Sequence, residues 1–191
     1  MKRKKISLFY ILGVVLIAVG VGLYAVQTAA ISKAEQKTTE IAGQIEGYLP
    51  NRTAGTTGEY FGNMPAYSID GTDYVGLLQV PNLGVDRPIL SKWNTQNGIT
   101  CPTKYCGSVY TDTLAIGGSN HMGQMDFLSQ LDIGCKVIVT DMLGNEFSYE
   151  IKRIDRASDV DEALLASDEY SLTLFTYQRS EKNYIIVRCD L

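Results

Sequence analysis

From Ile6 to Ala30 the chain carries no charged side chain, and four basic residues, Lys2, Arg3, Lys4 and Lys5, crowd the positions just before it. As a helix rising about 1.5 Å per residue, such a run is roughly 37 Å long, more than the ~30 Å hydrocarbon core of a bilayer. A cleaved leader is the competing reading, because the stretch from Ala25 to Ala30 offers small residues near its end. Leader cores are typically about 7–15 apolar residues, so the length favours a retained anchor. The basic cluster then sets the orientation. Residues 1–5 form a cytoplasmic tail, residues 6–30 cross the membrane once, and everything after Ser32 lies outside.

The charge balance supports this division. The chain has 17 basic and 21 acidic residues, and no acid precedes Glu35. Beyond the tail, 13 basic residues face all 21 acids. Nucleic-acid binding needs a basic footprint and is excluded by that excess. An acidic domain held off an anionic surface fits it.

Residues 31–62 read as a juxtamembrane helix and linker. Ile41, Ile45 and Leu49 recur four apart on one helical face. The stretch from Pro50 to Gly62 is rich in Gly, Thr and Pro, as linkers are. Residues 63–191 are then one folded domain, long enough to bury a core. Twelve tyrosines and many short β-branched or aromatic runs point to β structure there. Strands are expected over Tyr74–Val80, Val85–Leu90, Ser108–Tyr110, Leu114–Gly117, Ser171–Tyr177 and Tyr184–Cys189. A hairpin is expected from Lys136–Met142 and Glu146–Ile154 around Leu143-Gly144-Asn145. Short helices are expected over Met125–Leu131 and Val160–Ala166. Short strands separated by turns predict a closed barrel or sandwich. No Gly-rich phosphate loop follows a strand, so no cofactor is expected.

The cysteines are Cys101, Cys106, Cys135 and Cys189, and the one histidine is His121. Cys101 and Cys106 are spaced to close a short loop in an oxidising compartment, though pairing is not legible in sequence. A zinc site would need Cys101, Cys106 and His121 to converge, and their spacing is not that of a ribbon or finger. No metal is expected.

Five blocks in order resemble the sortases of Gram-positive bacteria, which are cysteine transpeptidases. The first is Asp70-Gly-Thr-Asp-Tyr-Val-Gly-Leu-Leu-Gln-Val-Pro-Asn-Leu-Gly-Val85, followed by Arg87-Pro-Ile-Leu90 and Trp93. Next come the segment from Gly107 through Gly117-Gly118 and the helix over Met125–Leu131. Last are Leu172-Thr-Leu-Phe-Thr-Tyr177 and Ile186-Val-Arg-Cys-Asp190. The resemblance covers essentially all of residues 63–191. It implies a closed, roughly eight-stranded β-barrel, mainly β with short helices. It also implies an activity: a cysteine attacks the carbonyl of an LPxTG-type sorting motif, a histidine manages the proton, and an arginine steadies the oxyanion or substrate.

The three catalytic positions are all changed. The family's T-L-x-T-C ends here in Tyr177, its A-G-H-N becomes Gly117-Gly118-Ser119-Asn120 with Ser119 in place of His, and its R-x-[VI]-V-R begins here with Tyr184 in place of Arg. A phenol is no substitute for a thiolate nucleophile. The expectation is therefore a sortase-like pseudoenzyme of the cell envelope. Its expected partners are the membrane and a sorting-signal peptide, a pilin or another sortase. The alternative is a transpeptidase or hydrolase with relocated residues, Cys106 or Ser119 acting with His121. Arg188 and Arg179 are the candidate replacements for the guanidinium, Arg188 matching the second arginine of the family motif. Cys189 reads as structural, and Cys135, after Gly134 in a helix-to-strand turn, lies far from the motif in sequence.

Overall fold

The computed structural model of the chain describes residues 8–49, 53–54, 62–93, 101–121, 124–166 and 169–191. The basic tail and most of the expected linker lie outside them.

A single helix, α1 (Leu8–Tyr48), runs without a break from the apolar stretch into the domain. Its window Leu12–Ala29 has a mean hydropathy of 2.0 and none of it is buried in the protein. Past Ser32 the helix changes role. Thr38, Ala42 and Ile45 are buried, and Ile41 and Leu49 pack beside them. Ile41, Ile45 and Leu49 are the residues whose four-residue spacing defined the face, and with Ala42 they meet Ile69, Tyr74, Leu77, Leu90, Cys101 and Met142 of the domain.

The strands are β1 (Thr53–Ala54), β2 (Tyr67–Ile69), β3 (Thr72–Val80), β4 (Val85–Leu90), β5 (Thr103–Cys106), β6 (Leu114–Ser119), β7 (Lys136–Asp141), β8 (Asn145–Ala157), β9 (Leu172–Gln178) and β10 (Asn183–Asp190). Hydrogen bonding links them in the order β8-β10-β9-β6-β5-β4-β3, and β7 pairs with both β3 and β8. That last pairing closes an eight-stranded barrel, as expected. β1 adds to β8 in parallel and β2 to β3 as outer appendages. Closure leaves the eight barrel strands with no free edge.

Alternation fills the barrel. Along β8, Phe147, Tyr149 and Ile151 are buried while Ser148, Glu150 and Lys152 are exposed. They join Leu78, Val80, Ile116, Val139, Leu174, Ile185 and Val187 in one interior cluster. At the β7–β8 turn, Asp141 is buried. Its carboxylate accepts from the main-chain N–H of Leu143 at 2.8 Å and of Asn145 at 2.9 Å, and from the Tyr110 hydroxyl. Gly144, with φ 84°, completes the expected hairpin turn.

Three expectations need correction. Ser108–Tyr110 is a turn, because the Ser108 hydroxyl accepts the N–H of Tyr110 at 3.1 Å and Gly107 has φ 69°. The strand of this region is β5, just upstream. Met125–Leu131 is not an α-helix but a 3-10 turn over Asp126–Gln130. Within the expected linker, Thr53–Ala54 forms β1 against Asn145–Glu146. The expected helix over Val160–Ala166 is present as α2 (Glu162–Leu165), capped by Asp161, whose carboxylate accepts from Leu164 N–H at 2.7 Å.

Candidate functional site

Three neighbouring strands bring Ser119, Tyr177 and Tyr184, the positions singled out in the sequence, into one row. β6 lies parallel to β9 with Ser119 opposite Tyr177, and β9 lies antiparallel to β10 with Tyr177 opposite Tyr184. Strands sit about 4.8 Å apart, so the row is roughly 10 Å wide. Its side chains point out of the barrel. On β9, Leu172 and Leu174 belong to the interior cluster and Phe175 to a separate outer one, and on β10 Val187 and Ile186 divide the same way. Residues 175, 177, 184 and 186 therefore share the outer face.

The Tyr177 and Tyr184 rings meet edge to face, with centroids 5.0 Å apart at 62°. Tyr177 is 41 % exposed and Tyr184 is half-buried. Among the described residues, neither hydroxyl nor that of Ser119 has a hydrogen-bond partner. The backbone beneath them is held firmly: Met125 N–H donates to the Ser119 carbonyl at 3.2 Å, and the Thr176 hydroxyl to the Gly118 carbonyl at 3.0 Å.

An aromatic wall continues the row along the same face. The Phe175 ring lies over Gly117, where an added Cβ would stand 2.3 Å from it. Phe175 stacks on Trp93 with centroids 5.9 Å apart and meets Tyr105 edge to face at 5.4 Å. Sequence reasoning missed this wall. The one signal for it was Gly117, a residue without a side chain exactly one strand from Phe175.

The remaining candidates fall elsewhere. Arg188 is buried: its guanidinium donates to the Thr173 hydroxyl at 2.9 Å and to the Leu164 carbonyl at 2.7 Å, and it lies over the Tyr170 ring at 5.9 Å. Burial lowers its pKa, and its donors are engaged in fastening α2 to the sheet. Arg179 is exposed in the turn after β9. His121 is exposed beyond the end of β6, and its imidazole has no hydrogen bond to a described residue.

Cys106 pairs with Ala115 on β6, four residues before Ser119, which is roughly 13 Å along the strand. Its thiol packs against Ala115, Leu165, Phe175 and Ile186. Burial raises its pKa, the Glu162 carboxylate adds to the rise, and Lys104 opposes it. The net direction favours the thiol over the thiolate, which is the nucleophilic form. Cys189 is buried in the barrel, its pKa pushed up to about 12 by burial and by Asp190. Cys101 sits on the α1 side of the barrel and Cys135 beside the interior cluster, and no disulfide joins the four. Cys101 and Cys106 pack in different side-chain clusters.

No protein-family model matches the chain, and no curated protein does. Solved structures match in fold. Sortase A of Listeria monocytogenes has a TM-score of 0.55 at 16 % identity, covering 62 % of this chain and 86 % of its own. A Clostridium perfringens sortase D5 transpeptidase has a TM-score of 0.52 at 16 % identity, covering 85 % of this chain and 94 % of its own. Sortase A from Corynebacterium diphtheriae has a TM-score of 0.52 at 19 % identity, covering 87 % and 84 %. The chain therefore has a sortase-like fold.

Proposed function

We propose that this sortase-like chain is a catalytically silent, membrane-anchored protein of a Gram-positive type cell envelope that binds a sorting-signal peptide, a pilin or a partner sortase on its aromatic outer face. The observation that carries the reading is the row itself. Ser119, Tyr177 and Tyr184 stand side by side on the outer face, and no thiol, imidazole or guanidinium stands in the row with them. Acyl transfer through a cysteine needs a thiolate, proton management and an oxyanion donor together. Loss of a nucleophile alone costs on the order of 10⁶ in turnover. Tyrosines are well suited to what is left, offering large contact area and a polar tip at low entropic cost.

Support for the anchor comes from the unburied apolar window Leu12–Ala29 and the basic residues at positions 2–5. With those basic residues in the cytoplasm, the barrel lies outside. The Cys106 form of the relocated-enzyme alternative draws no support from the register, since Cys106 lies four residue steps from Ser119, and burial with the Glu162 carboxylate disfavours its thiolate.

The test is intact-mass spectrometry after incubation with an LPxTG-type peptide. The natural chain should show no covalent adduct and return the peptide uncut. The triple variant Ser119→His/Tyr177→Cys/Tyr184→Arg should form a thioacyl adduct. An adduct on the natural chain, at Ser119 or Cys106, would sink the reading.

A further inference from the structure

The three positions of the row are terminal ones: Ser119 ends β6, Tyr177 is last but one in β9, and Tyr184 is second in β10. Strand pairing fixes the barrel end on which they lie. β5 runs with β4, β6 against β5, β9 with β6, and β10 against β9. The finish of β6 and β9 and the start of β10 therefore share one end with the start of β4, where the β3–β4 turn is.

Helix α1 leaves the domain past that same end. Arg87, two residue steps from the start of β4, approaches Glu35 at 3.9 Å. Farther along the strand, Leu90 packs in one cluster with Ile45 and Tyr74, and Tyr48 stacks on Tyr67 with centroids 6.1 Å apart. Helix and strand thus run side by side in one direction, and the apolar window Leu12–Ala29 lies beyond the end that bears the row. From Glu35 back to Ala29 the helix covers roughly 9 Å. From Arg87 back to Val85 the strand covers roughly 7 Å. That barrel end and the outer limit of the apolar window are therefore close to one level.

The outer face on the other side of the row is closed. Three side-chain pairs point outward along β9 and β10: Thr173 with Arg188, Phe175 with Ile186, and Tyr177 with Tyr184. The first is buried beneath α2, whose Leu164 carbonyl accepts an Arg188 N–H at 2.7 Å. The second is buried against Leu165 of the same helix. Of the three, only the last is open, with Tyr177 41 % exposed. A polypeptide lying on the tyrosines meets α2 in one direction, and in the other it runs out past the strand ends.

We infer that the row takes its ligand from the membrane side: a polypeptide held in the same membrane as α1 and bound through the residues just outside its own anchor, rather than a wall-linked or freely diffusing one. The inference rests on the anchoring and binding parts of the proposed function and adds the direction of approach. Two tyrosines and a serine are a small surface beside the roughly 800 Å² that each partner of a stable complex buries. Confinement in one membrane compensates, because a tethered ligand meets the row at high effective concentration without any added contact. That gain falls as the tether lengthens past the span it must cross, so spacer length reads out where the row stands.

The test uses the full chain in lipid vesicles and one LPxTG-type peptide, either free or lipid-linked at its C-terminus. The linked peptide is placed in the same vesicles through a spacer of about two or about twenty Gly/Ser residues, with reaches of about 7 Å and about 25 Å. It is also placed, on the short spacer, in separate vesicles. Trp93 emission reports binding, since its ring stacks on Phe175 beside the row. In the same vesicles the short-spacer form should saturate at a surface density several-fold below that of the long-spacer form. Tyr177→Ala should weaken both at least about tenfold, and separate vesicles should give no response. Saturation by the long-spacer form without the short one overturns the inference, as does an equal response from separate vesicles. If the free peptide binds in either of those cases, the proposed function stands and the direction of approach alone has failed. No saturation with any form of the peptide refutes the binding reading, and the inference with it.

Discussion

Strands β9 and β10 present two different neighbourhoods on one outer face. Toward one end, Thr173 and Arg188 are opposite each other, buried, and hydrogen-bonded together, with the Leu164 carbonyl of α2 taking a second guanidinium N–H. Toward the other end, Tyr177 and Tyr184 are opposite each other, and their hydroxyls have no partner among the described residues. The same two strands thus carry one pair whose polar groups are satisfied internally and one whose polar groups are offered outward. Buried polar groups must be paired, whereas exposed ones are free to meet a ligand. The first pair is framework, and the second is left open at the surface.

The largest effect should come from the framework pair. Arg188→Met keeps the apolar stem but leaves the Thr173 hydroxyl and Leu164 carbonyl without their donor. A loss of about 2–4 kcal/mol is expected in urea unfolding, since hydrogen bonds to charged groups are the stronger kind. A loss under about 0.5 kcal/mol would mean the two neighbourhoods do not differ in this way.

Gly117→Ala comes next. Its Cβ must displace the Phe175 ring, itself held between Trp93 and Tyr105. Overpacking of this kind costs about 1–3 kcal/mol. Trp93 emission should shift, because its stack on Phe175 cannot persist unchanged.

Tyr177→Ala should be nearly silent in stability, within about 1 kcal/mol, because the side chain is 41 % exposed. Its effect should fall on peptide affinity instead, a loss of about tenfold or more, as aromatic anchors typically show.

The smallest effect concerns Asp112, an exception at the framework end. One of its carboxylate oxygens is buried without a partner, and burial together with Asp190 raises its pKa. The folded state therefore holds this proton more tightly than the unfolded chain does. Its stabilising contribution is complete below the ordinary carboxylate range and is lost as pH rises through the folded value. Asp112→Asn should raise Tm slightly at neutral pH, and the gap should close under acid conditions. Asn also suits the left-handed backbone there, with φ 52°.

Much of the architecture was legible because it is written in local patterns. β3, β4, β9, β10 and the β7–β8 hairpin all follow runs of alternating or β-branched residues between turn residues, and α1 follows its spaced Ile41, Ile45 and Leu49. What escaped depends on single side chains or long-range pairing. Ser108 turns the chain by capturing a backbone N–H, which composition cannot reveal. β5 is four residues long and exists because β6 is beside it. The candidate positions were legible only through the resemblance, since nothing in the spacing of Ser119, Tyr177 and Tyr184 brings them together without the parallel β6–β9 register. The aromatic wall was illegible because Trp93, Tyr105 and Phe175 come from three separate segments.

Trp93 offers the most direct test of the tyrosine row as a binding surface, because the sole tryptophan stacks on Phe175, two residues from Tyr177. The measurement is a fluorescence titration of the natural chain and of Tyr177→Ala with an LPxTG-type peptide. A saturable change in the natural chain, weakened at least about tenfold by the substitution, with the peptide recovered uncut, is the predicted result. A titration that never saturates, or an identical curve for Tyr177→Ala, would contradict it.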